Sequence, residues 1–313
     1  SSVMSSTEKV KNSYWLVLNF GNAIADVRVN GVSVQKLSDA YDLSETRPIG
    51  HLLTNGKNII TINFRPALYS ASKNKTYLED EAKNDFYISV RLEAIDAGGT
   101  KSVDVGYVNY NDENDSYVVL EKSLKNSTFK KVDGNISFLN SGEVLKSTFI
   151  SRGGQVVSSN EISFEVNVDE PGFNNLRWAE AIEINANDAN IINSVVRKYQ
   201  ELRQYILNND SDGYVEEFYD IWLNTVHALN ISGGVEYYTQ SDDIINPSKL
   251  GEGFPLGDFD FADDKYKFEI TFNNRLIRLV PGPIYWGDNQ ISVTPVFFFD
   301  RNGEIKVASI ISE

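Results

Sequence analysis

Two short stretches that alternate apolar and polar residues, Ala25-Asp26-Val27-Arg28-Val29 and Val32-Ser33-Val34, are separated only by Asn30-Gly31. Both residues of that dipeptide tolerate positive φ, as a tight turn between antiparallel strands requires, so this region is committed to a hairpin. The same grammar recurs along the first half. Thr54-Asn55-Gly56-Lys57-Asn58 precedes the alternating run Ile59-Ile60-Thr61-Ile62-Asn63-Phe64. Residues 14–20, 86–94, 102–107, 117–120, 144–150 and 162–168 read as further strands. Short strands at turn-marked intervals predict an antiparallel β-sandwich of jelly-roll or immunoglobulin-like type.

The periodicity then changes. From Ala189, apolar residues at Ile191, Ile192, Val195, Val196, Tyr199, Leu202, Tyr205 and Ile206 recur at steps of three and four, the stripe of an amphipathic helix. Asn208-Asn209-Asp210-Ser211-Asp212-Gly213 interrupts it, and Tyr214, Val215, Phe218, Ile221, Trp222, Thr225, Val226 and Leu229 mark a second helix. Strands return at 235–239, 265–272, 276–280, 290–299 and 306–311. The fold class expected is therefore mainly β with α+β: an antiparallel sandwich, then two helices packed on a curved antiparallel sheet. Charge changes at the same place. Residues 1–166 carry 18 basic and 20 acidic residues, whereas residues 167–313 carry 11 and 24. With the turn-forming Pro171-Gly172 nearby, this puts the expected division at 1–168 and an acidic 169–313.

Two resemblances follow from these residues. The hairpin around Asn30-Gly31, followed by Asn55-Gly56-Lys57-Asn58 and an alternating strand, resembles the jelly-roll, galactose-binding-like modules attached to glycosidases. The later order of helices, acidic turn and curved sheet is similar to nuclear-transport-factor-2-like domains. Such domains serve as enzymes, ligand pockets and protein-binding modules, so the likeness implies a fold and not an activity.

Composition narrows the chemistry. The net charge is −15, which disfavours nucleic acid as a partner. There is no Cys, so thiol nucleophiles, disulfides and Cys-ligated metals are excluded, and His51 and His227 are the only histidines. His227 is expected near the end of the second helix, where a His interacts with the helix C-terminus. No apolar run is long enough to span a bilayer as a helix. The polar opening Ser1-Ser2-Val3-Met4-Ser5-Ser6 is of the kind left by a cleaved signal or lipid tether, so an extracytoplasmic location, in the envelope or secreted, is the expectation.

Three segments are candidate sites. Asp258-Phe259-Asp260-Phe261-Ala262-Asp263-Asp264 would set Asp258 and Asp260 on one face of an extended segment and the rings on the other. It reads as an acidic landing surface, a metal site, an acid/base pair or a solvated loop. Pro281-Gly282-Pro283-Ile284-Tyr285-Trp286 is a stiff aromatic loop. Tyr285 and Trp286 would stack on a sugar or anchor a protein if exposed, and cap the core if not. Asn208-x-Asp210-x-Asp212-Gly213 resembles the start of a Ca²⁺-binding EF-hand loop. Tyr219 stands where the bidentate Glu belongs, so a polar turn with a helix cap from Asp210 or Asp212 competes with calcium. These features suggest a non-catalytic binding protein whose acidic second domain recognises a basic protein or peptide, by analogy with bacterial immunity proteins. A carbohydrate-binding protein and a small-molecule enzyme with a pocket in the α+β domain are the alternatives.

Overall fold

The computed structural model describes residues 8–80, 85–111, 116–119, 132–236, 255–287 and 291–313. The chain forms two compact units. Of the described residues, one unit comprises 8–152 with 156–173, and the other comprises 153–155 with 174–313.

The first unit is the antiparallel sandwich. Its strands are β1 (Ser13–Gly21), β2 (Ala23–Val29), β3 (Val32–Leu37), β4 (Leu43–Pro48), β5 (Gly56–Ser70), β6 (Lys75–Leu78), β7 (Tyr87–Asp96), β8 (Gly99–Asn111), β9 (Ser116–Val119), β10 (Val132–Asp133), β11 (Ile136–Ser141), β12 (Leu145–Ile150) and β13 (Val156–Val168). One sheet has the order β4-β1-β7-β8-β9 and the other β10-β11-β13-β5-β2-β3, with β12 on β13 and β6 on β5. Period-two alternation builds the core. Leu16, Leu18 and Phe20 of β1 and Ile88, Val90 and Leu92 of β7 are buried, as are Ile60, Ile62 and Phe64 of β5 and Ile162, Phe164 and Val166 of β13. Each such side chain contributes about 1.5–3 kcal/mol by leaving water.

The turn chemistry does structural work. Asn30 and Gly31 have φ of 47° and 88°, the left-handed pair that lets β2 turn back into β3. The Asn30 amide donates to Leu52 O at 2.8 Å and to Asn58 Oδ1 at 2.9 Å, while its oxygen accepts from the Ile59 N–H at 2.9 Å. Asn58 in turn donates to Thr54 O and Gly56 O. The residues that carry the galactose-binding-like resemblance thus tie two turns together in the interior.

The first unit closes on a buried carboxylate. Glu170, 1% exposed, accepts from the Lys11 and Asn12 N–H groups, the Asn12 amide and the Tyr14 hydroxyl, at 2.9–3.2 Å. Burial, and then the Glu170 charge, pushes the Tyr14 phenol well above its ordinary value. These bonds keep residues 169–173 with the sandwich, so the units part after Phe173, five residues beyond the division suggested by charge.

The second unit contains α1 (Ala189–Leu207), α2 (Ser211–Leu229), β14 (Lys267–Thr271), β15 (Leu276–Val280), β16 (Tyr285–Trp286), β17 (Ile291–Phe299) and β18 (Ile305–Ser312). Its antiparallel sheet has the order β14-β15-β17-β16, with β18 on β17. The expected strand at 235–239 is not seen in its described part: Val235 lies in a turn, and residues 237–239 lie outside the described residues. Val195, Tyr199 and Leu202 of α1 and Tyr214, Phe218 and Trp222 of α2 pack on Ile277, Leu279, Phe297, Phe299 and Val307. Tyr199 does more than fill space. β15 and β17 pair only at Ile277 and Phe297, and beside that pair the Tyr199 hydroxyl donates to Pro295 O at 2.7 Å and accepts from the Leu279 N–H at 3.2 Å. A phenol from the helix layer bridges the two strands.

Candidate binding groove

The acidic run has the alternation its sequence suggests. Asp258, Asp260, Asp263 and Asp264 are exposed, while Phe259 and Phe261 turn inward and pack against the core. Two of the carboxylates are engaged in local turns: Asp260 Oδ1 accepts from the Ala262 N–H at 2.9 Å, and Asp263 Oδ1 from the Lys265 N–H at 3.2 Å. Phe259 meets Tyr266 edge-on, with ring centroids 5.0 Å apart.

The aromatic loop divides between two fates. Trp286 is 2% exposed and belongs to the core, so it offers no face to a sugar or protein; the expected surface role for it is corrected. Its burial follows from β16 pairing, in which Trp286 lies opposite Ile291 and bridges to Leu256. Tyr285 is half-buried and joins the acidic segment through backbone, its hydroxyl donating to Asp258 O at 2.5 Å. Arg203, a residue with no sequence signal beyond its place on α1, clamps both loops. Its guanidinium donates to Pro283 O at 2.8 Å and Gly257 O at 2.7 Å, and the side chain is buried. Asp258 and Tyr285 therefore come together as a scaffolded corner.

The junction of α1 and α2 departs from the calcium reading. α2 begins at Ser211, so Asp212 and Gly213 lie inside a helix and cannot wrap an ion as a loop. Asp210 is the N-cap, its side chain accepting from the Gly213 N–H at 3.0 Å. Gly213 is needed for room: a Cβ there would lie 2.6 Å from the Tyr205 ring and 2.7 Å from the Asp210 carboxylate. Among the described residues, no group of three or more His, Asp and Glu side chains is placed to hold a metal ion.

Beside this junction lies an open groove of about 400 Å³, lined by Arg177, Lys198, Tyr205, Gly213, Glu216, Glu217, Asp220 and residues 305–307 of β18. α1 supplies Lys198 and Tyr205 seven residues apart, and α2 supplies Glu216, Glu217 and Asp220, so side chains one and two turns apart share one wall. Lys198 Nζ sits 2.8 Å from Glu217 and 3.7 Å from Glu201. Arg177 donates to Val307 O at 2.6 Å, lies 3.9 Å from Asp220 and stacks over the Phe298 ring at 5.4 Å. Lys306 lies 3.2 Å from Glu304. Each cation is thus neutralised from within. Glu216 is exposed and makes no bond to a described residue. Burial lowers the Arg177 pKa, and Asp220 offsets part of that. Burial raises the Tyr205 pKa, with Glu217 and Glu201 adding to it. The Arg177 direction reflects a low-dielectric wall, and the Tyr205 direction reflects that wall together with the neighbouring carboxylates.

Sequence reading missed this groove. Its residues come from four separate segments, and only the i, i+4 pair Glu216 and Asp220 leaves a local trace. It also missed an aromatic pair on the sandwich, where Tyr41 is 44% exposed and its ring lies 4.3 Å from that of Tyr69. His227 lies in the last turn of α2, the position expected for it. No helix among the described residues is long and apolar enough to cross a membrane. Comparison with protein-family models, curated proteins and solved structures finds no match to this chain.

Proposed function

We propose that this protein is a non-catalytic binding protein whose second unit takes a cationic segment of a protein or peptide partner into the groove between α1, α2 and β18. The observation that carries this is the state of the charges. Arg177, Lys198 and Lys306 are already paired, five carboxylates (Glu201, Glu216, Glu217, Asp220 and Glu304) stand around them, and Glu216 faces solvent uncommitted. An incoming cation finds attraction without having to displace a salt bridge. The wider unit reinforces it: residues 174–313 hold 11 basic and 22 acidic residues, which steers a basic partner toward the groove. The filled space between helices and sheet, occupied by Tyr199, Phe218, Trp222 and Phe297, favours surface recognition over chemistry in an enclosed pocket. Such a partner would be met in the cell envelope or outside the cell.

The test is fluorescence anisotropy with a labelled Lys-rich peptide at low and high ionic strength. Binding should weaken by about tenfold or more as salt rises. Glu216→Gln should weaken it several-fold with no change in melting temperature, because Glu216 supports nothing in the fold. Absent binding at low salt, or affinity indifferent to salt, would remove the proposal.

A second reading rests on a different surface. Tyr41, 44% exposed, packs its ring 4.3 Å from that of the half-buried Tyr69 on the sandwich, an aromatic pair of the sort that stacks on sugar rings. A glycan array with the protein and a Tyr41→Ala variant decides it: a sugar signal lost in the variant supports the reading, and a blank array removes it.

A further inference from the structure

The groove has a wall made of backbone. In the turn joining β17 to β18, the Asp300 N–H donates to Glu304 O at 2.9 Å, which puts Asp300 and Glu304 at a bonded position of the ladder, while the Gly303 N–H donates to Asp300 O and the Glu304 N–H to Asp300 Oδ1, each at 2.9 Å. Antiparallel pairs alternate between bonded and non-bonded. Phe299 with Ile305 is therefore non-bonded, Phe298 with Lys306 bonded, and Phe297 with Val307 non-bonded. The N–H and C=O groups of Ile305 and Val307 consequently point away from β17, out of the sheet edge. Arg177 gives an independent check, since its guanidinium meets Val307 O from that side. Among the described residues β18 has no second strand partner, and the Ile305 N–H, the Ile305 C=O and the Val307 N–H have no hydrogen-bond partner. An unpaired strand edge inside a groove is a template for one more strand.

We infer that the partner's cationic segment binds in extended form, as a strand added along Ile305–Val307, with Arg177 released from Val307 O. This inference rests on the groove being the binding site and specifies how the groove reads its ligand. Spacing supports it. Glu216 and Asp220 are one helical turn apart, about 5–6 Å between Cβ atoms, and alternate side chains of a strand are about 6.7 Å apart. The two carboxylates therefore match basic residues at every second position, on the one strand face turned toward α2. The ligand class is an extended peptide with Lys or Arg alternating with other residues.

The experiment uses three labelled hexapeptides with the full chain: Lys-Val-Lys-Val-Lys-Val, the same peptide N-methylated at its Lys nitrogens, and the same peptide N-methylated at its Val nitrogens. Charge is identical in all three, but in a strand the two sets of N–H groups face opposite edges. Strand addition predicts that one methylated peptide loses at least about tenfold in affinity while the other stays within about twofold of the parent. It also predicts slowed amide exchange at Ile305 and Val307 when the parent peptide is added. Equal affinity of the two methylated peptides, with salt-dependent binding retained, overturns strand addition and leaves the charge-based reading standing. Failure of all three peptides to bind at low salt overturns both.

Discussion

His51 sits in the short 3₁₀ turn Gly50–Leu52 that precedes β5, and burial pulls its pKa down from 6.5 to about 4. Its sign is definite. The unfolded chain takes up this proton near the ordinary value and the fold resists it, so the contribution is complete above pH 6.5 and is lost as pH falls toward 4. A shift of that size corresponds to about 3 kcal/mol. Urea midpoints of the wild type and His51→Gln at neutral and mildly acidic pH should diverge, the wild type losing more on acidification. Parallel losses would show that the imidazole is not the sensor. In sequence, its neighbour Gly50 hinted only at a turn. Glu170 is comparable. Its place beside Pro171-Gly172 was legible as punctuation, but its four donors come from residues near 12, more than 150 positions away, where no local pattern reaches.

At the scale of elements, α1 and α2 were legible because an apolar stripe at steps of three and four needs no knowledge of what it packs against. The junction between them was ambiguous. Polar residues with a following glycine suit an ion-binding loop and a capped helix start equally well, and the structure chose the cap. Asp210→Ala should therefore destabilise the second unit by about 1 kcal/mol through loss of the bond to the Gly213 N–H. Gly213→Ala is the sharper case. Helix propensity alone predicts a gain of about 1 kcal/mol, yet the added methyl would meet Tyr205 and Asp210 at 2.6–2.7 Å. We expect a lower melting temperature for this variant, and a rise would refute the packing described. β4 and β11 were invisible for a related reason. Leu43-Ser44-Glu45-Thr46-Arg47-Pro48 is polar, and it becomes a strand only because the long, strongly patterned β1 pairs with it from residue 15 to residue 20.

For the whole molecule, charge is the property with consequences beyond any one contact. The chain carries −15, most of it in residues 174–313, where 22 acidic residues face 11 basic ones. Self-repulsion of that kind is screened by salt. Moderate NaCl at neutral pH should raise the melting temperature by about 2–4 °C, equivalent to roughly 1 kcal/mol in a domain of this size; a flat response would mean the carboxylates are too dispersed to matter. The β-rich and α+β classes, the hairpin at Asn30-Gly31 and the excess of negative charge were all readable along the chain, because period, turn chemistry and net charge are local or additive. Packing settled that Trp286 is core, that Asp210 is a cap, and that Arg177, Lys198, Glu216, Asp220 and a strand edge share one groove. Those outcomes depend on which distant segments meet, and meeting is set by packing over the whole unit, which no window along the chain contains.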